Sequence, residues 1–147
     1  VCGGKFVLGG VRIPFGKSPV SHSDGDVLSH AICDALLGAA ALGDIGRHFP
    51  DDSPEYYNTS SIYFLKEVRK ILAQKGWVIG NVDSIVELER PKLFPYASRM
   101  QKKIAIALGL DPSDVSVKAK SGEGIGDVGR EEVIRAQAVA LIYKVNT

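Results

Sequence analysis

Trp77-Val78-Ile79-Gly80-Asn81-Val82-Asp83-Ser84-Ile85-Val86-Glu87-Leu88 decides the fold. Val82, Ser84, Val86 and Leu88 alternate with Asp83, Ile85 and Glu87, the period of extended chain with one face turned to a core. Gly80-Asn81 interrupts the run. Before it, residues 61–74 place Ile62, Leu65, Arg69 and Leu72 on one side and end at Gly76, which predicts a helix. After it, residues 90–95 (RPKLFP) form a Pro-bounded turn, and residues 96–108 read as a helix stopped by Gly109. Residues 115–119 are a strand candidate, followed by a Gly-rich loop over 121–129. Residues 133–145 fit either periodicity. No helix cap precedes them and β-branched residues recur, so they are read as a strand.

Toward the N-terminus, Asp24 is a plausible N-cap and Asp26 lies near the positive end of the helix dipole. Val27, Ile32, Ala35, Leu36, Ala39 and Ala40 give that helix a broad apolar face, and Gly43 is its expected stop. Residues 5–13 look like a short strand with a Gly9-Gly10 kink or turn, followed by a loop over 14–23. Residues 44–61 have no periodicity and many turn formers, so a long polar loop is expected there. The order β-α-α-β-α-β-β predicts an α+β sandwich with helices on one face of a small mixed sheet, ferredoxin-like in connectivity.

The chain has 147 residues, enough for one domain over 1–147 that folds without a disulfide or metal. Its net charge of +1 calls for neither nucleic acid nor an anionic membrane. No apolar stretch is long enough to span a bilayer, and no signal-peptide pattern is visible. The two cysteines, Cys2 and Cys33, form no C-x-x-C. Cys33 falls in an Ala/Leu-rich helical run, where a buried reduced thiol and a reducing compartment are expected.

Three constellations could carry chemistry. In the first, Ser21-His22-Ser23-Asp24-Gly25-Asp26 is followed by His30 and Asp34, and Asp26, His30 and Asp34 form one helical stripe. A carboxylate one turn from a histidine can hold its ring as partners of metal-bound histidines do, yet a solvated helix face reads equally well. In the second, Asp44-Ile45-Gly46 through Phe49-Pro50-Asp51 puts carboxylates beside glycine, suiting either ribose hydroxyls or simple turns. His48 in that loop is expected to be an exposed surface residue. In the third, Lys118-Ala119-Lys120-Ser121-Gly122-Glu123 can bind phosphate through backbone N–H groups and cations. Glu123 could serve a hard divalent cation, and Arg130 could add a fixed positive charge. Gly124-Ile125-Gly126-Asp127-Val128-Gly129 fits G-x-G-x-x-G, but the following segment reads as a strand and the chain ends eighteen residues later. A dinucleotide fold is therefore rejected.

Taken together, Ser21–His30, Asp34–Ala40, Leu42–Gly46 and Phe49–Asp51 closely resemble the signature of the 2-C-methyl-D-erythritol 2,4-cyclodiphosphate synthase family. Gly80-Asn81-Val82-Asp83, Pro91-Lys92 and Val117-Lys118-Ala119 with Glu123, Gly129 and Arg130 extend the resemblance to nearly the whole chain. It implies a homotrimer of ferredoxin-like subunits with active sites between subunits, cytoplasmic in bacteria and in the plastid or apicoplast of eukaryotes. The implied reaction, in the non-mevalonate isoprenoid pathway, converts 4-diphosphocytidyl-2-C-methyl-D-erythritol 2-phosphate to the 2,4-cyclodiphosphate and releases CMP. A zinc ion and a magnesium or manganese ion assist it. The alternative is a noncatalytic trimeric module that binds cytidine nucleotides.

The same resemblance assigns roles. His30 looks like a zinc ligand, His22 and Ser23 like contacts to the erythritol phosphate, and His22 is placed to stabilise the transition state. Asp44, Ile45 and Gly46 resemble the ribose site. Phe49, Pro50, Asp51, Asp52 and Ser53 resemble the mobile loop over the methylerythritol end. Leu88, Glu89, Arg90, Pro91, Lys92, Leu93 and Phe94 resemble the cytosine pocket, with backbone groups reading the base and Lys92 meeting phosphate. Lys120, Ser121, Gly122 and Glu123 correspond to the phosphate loop of the neighbouring subunit, Ser121 standing for a catalytic hydroxyl and Glu123 for the magnesium ligand. Arg130 resembles a phosphate contact near the trimer axis. Asp127 stands where the family often has an aromatic residue lining the axial cavity, which argues against isoprenoid diphosphate binding there. The family also takes zinc ligands from an Asp-x-His near the N-terminus. None occurs before Gly9-Gly10, so the chain is expected to begin after that motif and its zinc site to look incomplete.

Overall fold

The alternating stretch becomes the centre of a three-stranded mixed sheet. The computed structural model describes residues 6–16, 25–56 and 59–145. Along the chain these give β1 (Val7–Leu8), β2 (Val11–Arg12), α1 (Val27–Ala39), α2 (Ile45–His48), α3 (Ser61–Gln74), β3 (Trp77–Glu87), α4 (Ala97–Leu108), β4 (Val115–Lys120), α5 (Gly126–Gly129) and β5 (Arg135–Lys144). The sheet order is β4-β3-β5, with β3 parallel to β4 and antiparallel to β5. The Gly80 interruption is a bulge between Ile79 and Asn81. A Cβ on Gly80 would lie 3.2 Å from the Leu141 carbonyl, so glycine lets the two strands stay close through it.

Alternation then sorts the faces. Val82, Ser84 and Val86 are buried, and β5 turns Ala136, Ala138 and Ala140 to the same side. These small side chains let α1 settle on the sheet, where Leu28, Ile32, Leu36 and Leu37 are fully buried. Each such side chain contributes about 1.5–3 kcal/mol. Helix α3 packs against α1 and β3, and α4 against α3 and β4. Gln101 Nε2 donates to Val115 O at 2.8 Å and pins α4 to the edge strand. The small α+β architecture with a mixed sheet is as expected.

Several boundaries differ from expectation. Asp24 lies outside the described residues, and the N-cap of α1 is Asp26, whose side chain accepts from the Ser29 amide. Helix α1 ends at Ala39, before Gly43, because Ala41 takes the left-handed conformation (φ 57°). The Leu42 amide then donates to Leu37 O at 2.9 Å and the Ala41 amide to Gly38 O at 3.0 Å, closing the last turn. On α3 the buried stripe is Ser61, Phe64, Leu65, Val68 and Leu72, while Ile62 and exposed Arg69 sit on its flank. The loop expected over 44–61 contains the single turn α2 and a 3-10 turn at Pro54–Tyr56, and the Gly-rich loop contains α5. A single turn has no repeat for periodicity to detect.

Of the stretch 5–13, the described residues 6–13 form a turn of chain, the β1–β2 hairpin closed by Gly9 (φ 56°) and Gly10 (φ 75°). Cys33 is fully buried and free. Burial, helped by the charges of Asp34 and Asp26, pushes its thiol well above the usual range. Among the described residues no helix is long and apolar enough to cross a membrane.

Candidate active site

The acidic and histidine stripe of α1 is divided among three different tasks. Asp26 is fully buried. Its Oδ1 accepts from the Gly9 and Ser29 amides, both at 3.0 Å. Its Oδ2 accepts from the Gly10 amide at 2.8 Å, the Ser29 hydroxyl at 2.8 Å and the Ser61 hydroxyl at 2.7 Å. At the other end of the stripe, Asp34 Oδ1 accepts from the Ile45 amide at 2.8 Å. Between them His30 is half-buried, and its Nε2 is buried with no hydrogen-bond partner among the described residues. Of the two readings of the stripe, the one in which a carboxylate holds the His30 ring is not seen among the described hydrogen bonds: Asp26 accepts from the hairpin, from Ser29 of its own helix and from Ser61, and Asp34 from Ile45.

His30 opens on a cavity of about 230 Å³ lined also by Ile45, Gly46, Phe49, Asp51, Tyr56 and Phe64. The structure thus gathers five of the expected residues: His30, Ile45, Gly46, Phe49 and Asp51. The aromatic walls Tyr56 and Phe64 were missed. Phe49 packs on Phe64 at 5.1 Å and on Tyr56 at 5.5 Å between ring centroids, and His30 meets Phe64 at 6.0 Å. Phe64 belongs to the buried stripe of α3, a signal that could have found it, whereas Tyr56 lies in an aperiodic turn. A hydrogen bond to Glu55 pushes the Tyr56 phenol up to about 12, so it stays protonated at neutral pH.

Asp44 caps α2, its Oδ1 accepting from the Arg47 amide at 3.0 Å. A Cβ on Gly46 would meet only Asp44 Oδ1, at 3.6 Å, which leaves the peptide open to a ligand. The Ser53 amide donates to Pro50 O at 3.1 Å, and this turn holds Pro50, Asp51 and Asp52 at the surface. His48 is not the exposed residue expected. It is half-buried, with Nε2 2.8 Å from Leu42 O. His22 and Ser23 lie outside the described residues.

A second group forms where the parallel strands β3 and β4 end side by side. The Leu88 amide donates to Lys120 O at 2.9 Å, and Glu89 accepts from the Gly122 amide at 3.0 Å. This brings residues 88–94 against the loop that begins at Lys120. Leu88 and Leu93 are buried in the core, so their side chains anchor the segment and only their backbone can face a ligand. Arg90 reaches Glu131 at 3.9 Å, Pro91 is half-buried, and Lys92 and Phe94 are exposed. In the loop, Ser121 Oγ accepts from the Glu123 amide at 3.2 Å, and exposed Glu123 sits at φ 53°. Gly122 is required by packing, because a Cβ there would lie 2.7 Å from the Gly129 nitrogen.

Charge in this group is largely paired. Lys118 sits 2.7 Å from Asp83 across the strands and holds that carboxyl below its usual range, which leaves Lys120 as the cation of the loop. Arg130 Nε donates to Glu132 at 2.8 Å. Asp127 accepts from both arms of Arg135, which holds its carboxyl below the usual range. The hydrogen bonds, ion pairs and ring contacts described here stay within each group. One chain holds a histidine cavity and, separate from it, a strand-end edge that exposes Lys92, Lys120 and Glu123.

His30 Nε2, buried and unpartnered, has the donor chemistry of a zinc ligand. The exposed carboxylate of Glu123 suits a hard divalent cation. Among the described residues, no three His, Cys, Asp or Glu side chains converge on one point.

The sequence matches the YgbB family over residues 1–143. It is 51% identical over 140 residues to the 2-C-methyl-D-erythritol 2,4-cyclodiphosphate synthase of Chlorobium phaeobacteroides, covering 95% of this chain and 88% of the relative. The Pelotomaculum thermopropionicum enzyme of the same name is 53% identical over 142 residues, covering 97% and 88%. Among solved structures, the bifunctional IspDF from Campylobacter jejuni superposes with a TM-score of 0.94 at 35% identity, covering 99% of this chain and 40% of that one. Plasmodium falciparum IspF, solved as a CDP complex, superposes with a TM-score of 0.84 at 36% identity, covering 97% and 85%. This chain belongs to the YgbB family, that of the 2-C-methyl-D-erythritol 2,4-cyclodiphosphate synthases.

Proposed function

We propose that this chain converts 4-diphosphocytidyl-2-C-methyl-D-erythritol 2-phosphate to 2-C-methyl-D-erythritol 2,4-cyclodiphosphate and CMP. The activity carried by its relatives' names supports the reaction, and the cavity at His30 is the observation that carries it to these residues. An oxygen of the 2-phosphate forms a bond to the β-phosphorus while the bond from that phosphorus to the bridging oxygen breaks. CMP leaves with the bridging oxygen, and no water is consumed. Such a step needs a folded, in-line substrate and neutralised phosphate charge more than an added nucleophile.

The residues divide that work. The open peptide at Gly46 and the carboxylate of Asp44 receive the ribose, and the rings of Phe49, Tyr56 and Phe64 keep water from the reacting end. Backbone groups of residues 90–94, anchored by Leu88 and Leu93, read the base. Lys92, Lys120, Ser121 and Arg130 offer cations and a hydroxyl to the phosphates, and His22 and Ser23 keep the erythritol-phosphate role that the family resemblance gives them. Asp127 is paired with Arg135 at the start of the segment that carries Arg130. Zinc held in part by His30, and magnesium or manganese held by Glu123, would supply Lewis acidity to the crowded phosphates.

The two half-sites fit an assembly in which the loop over 120–123 of one subunit meets the His30 cavity of the next. We therefore read the protein as a homotrimer of ferredoxin-like subunits, each a single domain over 1–147. Its compartment follows the pathway: the cytoplasm of a bacterium, or a plastid or apicoplast. The decisive measurement is CMP release from the diphosphocytidyl substrate by full-length protein supplied with zinc and magnesium. Stoichiometric CDP binding without CMP release under those conditions would replace the cyclase with the noncatalytic cytidine-nucleotide module.

A further inference from the structure

Asp26 and Asp34 flank His30 at one turn on either side, yet both are committed to other elements. Among the described hydrogen bonds, the two oxygens of Asp26 serve five donors from three places: the hairpin turn at Gly9 and Gly10, the first turn of α1 at Ser29, and the first residue of α3, Ser61. A carboxylate has about four lone-pair sites, so this one is saturated. The hairpin turn packs closely against its neighbours. Both glycines have positive φ, and a Cβ would strike Met100 at 2.8 Å from Gly9 or Ile62 at 2.5 Å from Gly10. The amide of His30 in turn donates to the Asp26 carbonyl at 3.1 Å, so hairpin and His30 are referenced to one residue. Asp34 does the corresponding job at the far side. Its bond to the Ile45 amide fixes the turn 44–46, two residues of which wall the His30 cavity.

We propose that Asp26 and Asp34 are positioning residues with separable duties. Asp26 sets the hairpin and α3 around His30 for zinc coordination, and Asp34 sets the 44–46 turn for the nucleoside. Neither touches substrate. Each acts through backbone amides, where a shift of a fraction of an ångström degrades an alignment the reaction depends on. The inference rests on the cyclase reading for the identity of its ligands.

The test uses full-length protein carrying Asp26→Asn, Asp34→Ala, Ser61→Ala or, as a stability control, Leu72→Ala in the α3 core. Zinc affinity is read by competition with a chelator, CDP affinity by calorimetry, and kcat and KM from CMP release. Asn at 26 can still cap Ser29, but its amide nitrogen cannot accept from the donors now on the other oxygen. Asp26→Asn is expected to weaken zinc binding about 10- to 100-fold and to lower kcat, with CDP affinity unchanged. Ser61→Ala removes a single donor and, should Asp26→Asn not fold, asks the same question with an expected loss of about 2- to 5-fold in zinc affinity. Asp34→Ala is expected to weaken CDP binding and raise KM about 3- to 10-fold, with zinc affinity unchanged. Leu72→Ala should lower the melting temperature and move neither affinity. The proposal is overturned if the aspartate variants lose both affinities together in step with stability, as a purely structural role requires. Wild-type zinc affinity in both Asp26→Asn and Ser61→Ala, or wild-type CDP affinity in Asp34→Ala, overturns it as well. So does a wild-type protein that binds no zinc. A wild-type protein that binds zinc and CDP but releases no CMP sinks the cyclase reading alone, since the separation of the two affinities is still read.

Discussion

His30 carries a buried ring nitrogen without a partner among the described residues. Leaving a buried polar atom so costs about 1–3 kcal/mol, and a bound metal ion removes that cost. His30→Ala is therefore expected to change the stability of the metal-free protein by less than about 1 kcal/mol, because the lost contact with Phe64 is offset by removal of the unpaired nitrogen. Melting curves with and without zinc check this: wild type gains stability from the metal, the variant does not, and its CMP release falls to background. Unchanged turnover would remove His30 from the ligand set. Cys33 gives a second prediction at this scale. Its thiol is fully buried and held above its usual titration range, so no thiolate forms at neutral pH. Mass mapping after iodoacetamide treatment at pH 8 should find the Cys33 peptide unmodified in native protein and modified only after denaturation.

Among the elements, α1 closes in an unusual way. The position after its C-cap is Ala41 at φ 57°, where glycine is the ordinary occupant. A side chain in that conformation costs about 1–2 kcal/mol, partly offset by the greater freedom glycine has when unfolded. Ala41→Gly should stabilise the protein by about 0.5–1 kcal/mol, a rise of roughly 2–4 °C in melting temperature. A lower melting temperature would show that the Ala41 methyl contributes more by contact than it loses by strain.

At the scale of the whole molecule, the sheet has one covered face and one bare face. Helices α1, α3 and α4 lie on the first. On the second, Val139, Leu141 and Tyr143 of β5 are 73%, 63% and 53% exposed, an apolar row of the kind that marks interaction surfaces. A trimer closing over this face would cover it. If the proposed trimer uses this face, Leu141→Lys should give monomers by light scattering, keep the circular dichroism of the fold, and abolish CMP release by separating the proposed half-sites. A persistent, active trimer would place the interface elsewhere.

The elements long enough to repeat their period were legible from residue order. The alternation over 77–88 became β3, residues 61–74 became α3 within the same bounds, and the Gly109 stop ended α4. Local spacing put His30 in one candidate constellation and Ile45, Gly46, Phe49 and Asp51 in the next, the family resemblance joined the two, and the fold lines one cavity with all five. Single turns such as α2 and α5 escaped, since one turn repeats nothing. The partners of Asp26 escaped for a different reason. Its donors come from residues 9, 10 and 61 as well as its own helix, and nothing in linear order announces a hydrogen bond across 35 residues. Sequence by itself determined the helices and strands long enough to repeat their period and the residue types able to bind metal and phosphate, because periodicity and side-chain chemistry are local. Tertiary structure alone decided which carboxylates anchor backbone and which ring nitrogen is left open, because burial and hydrogen-bond partnership arise only when distant segments pack.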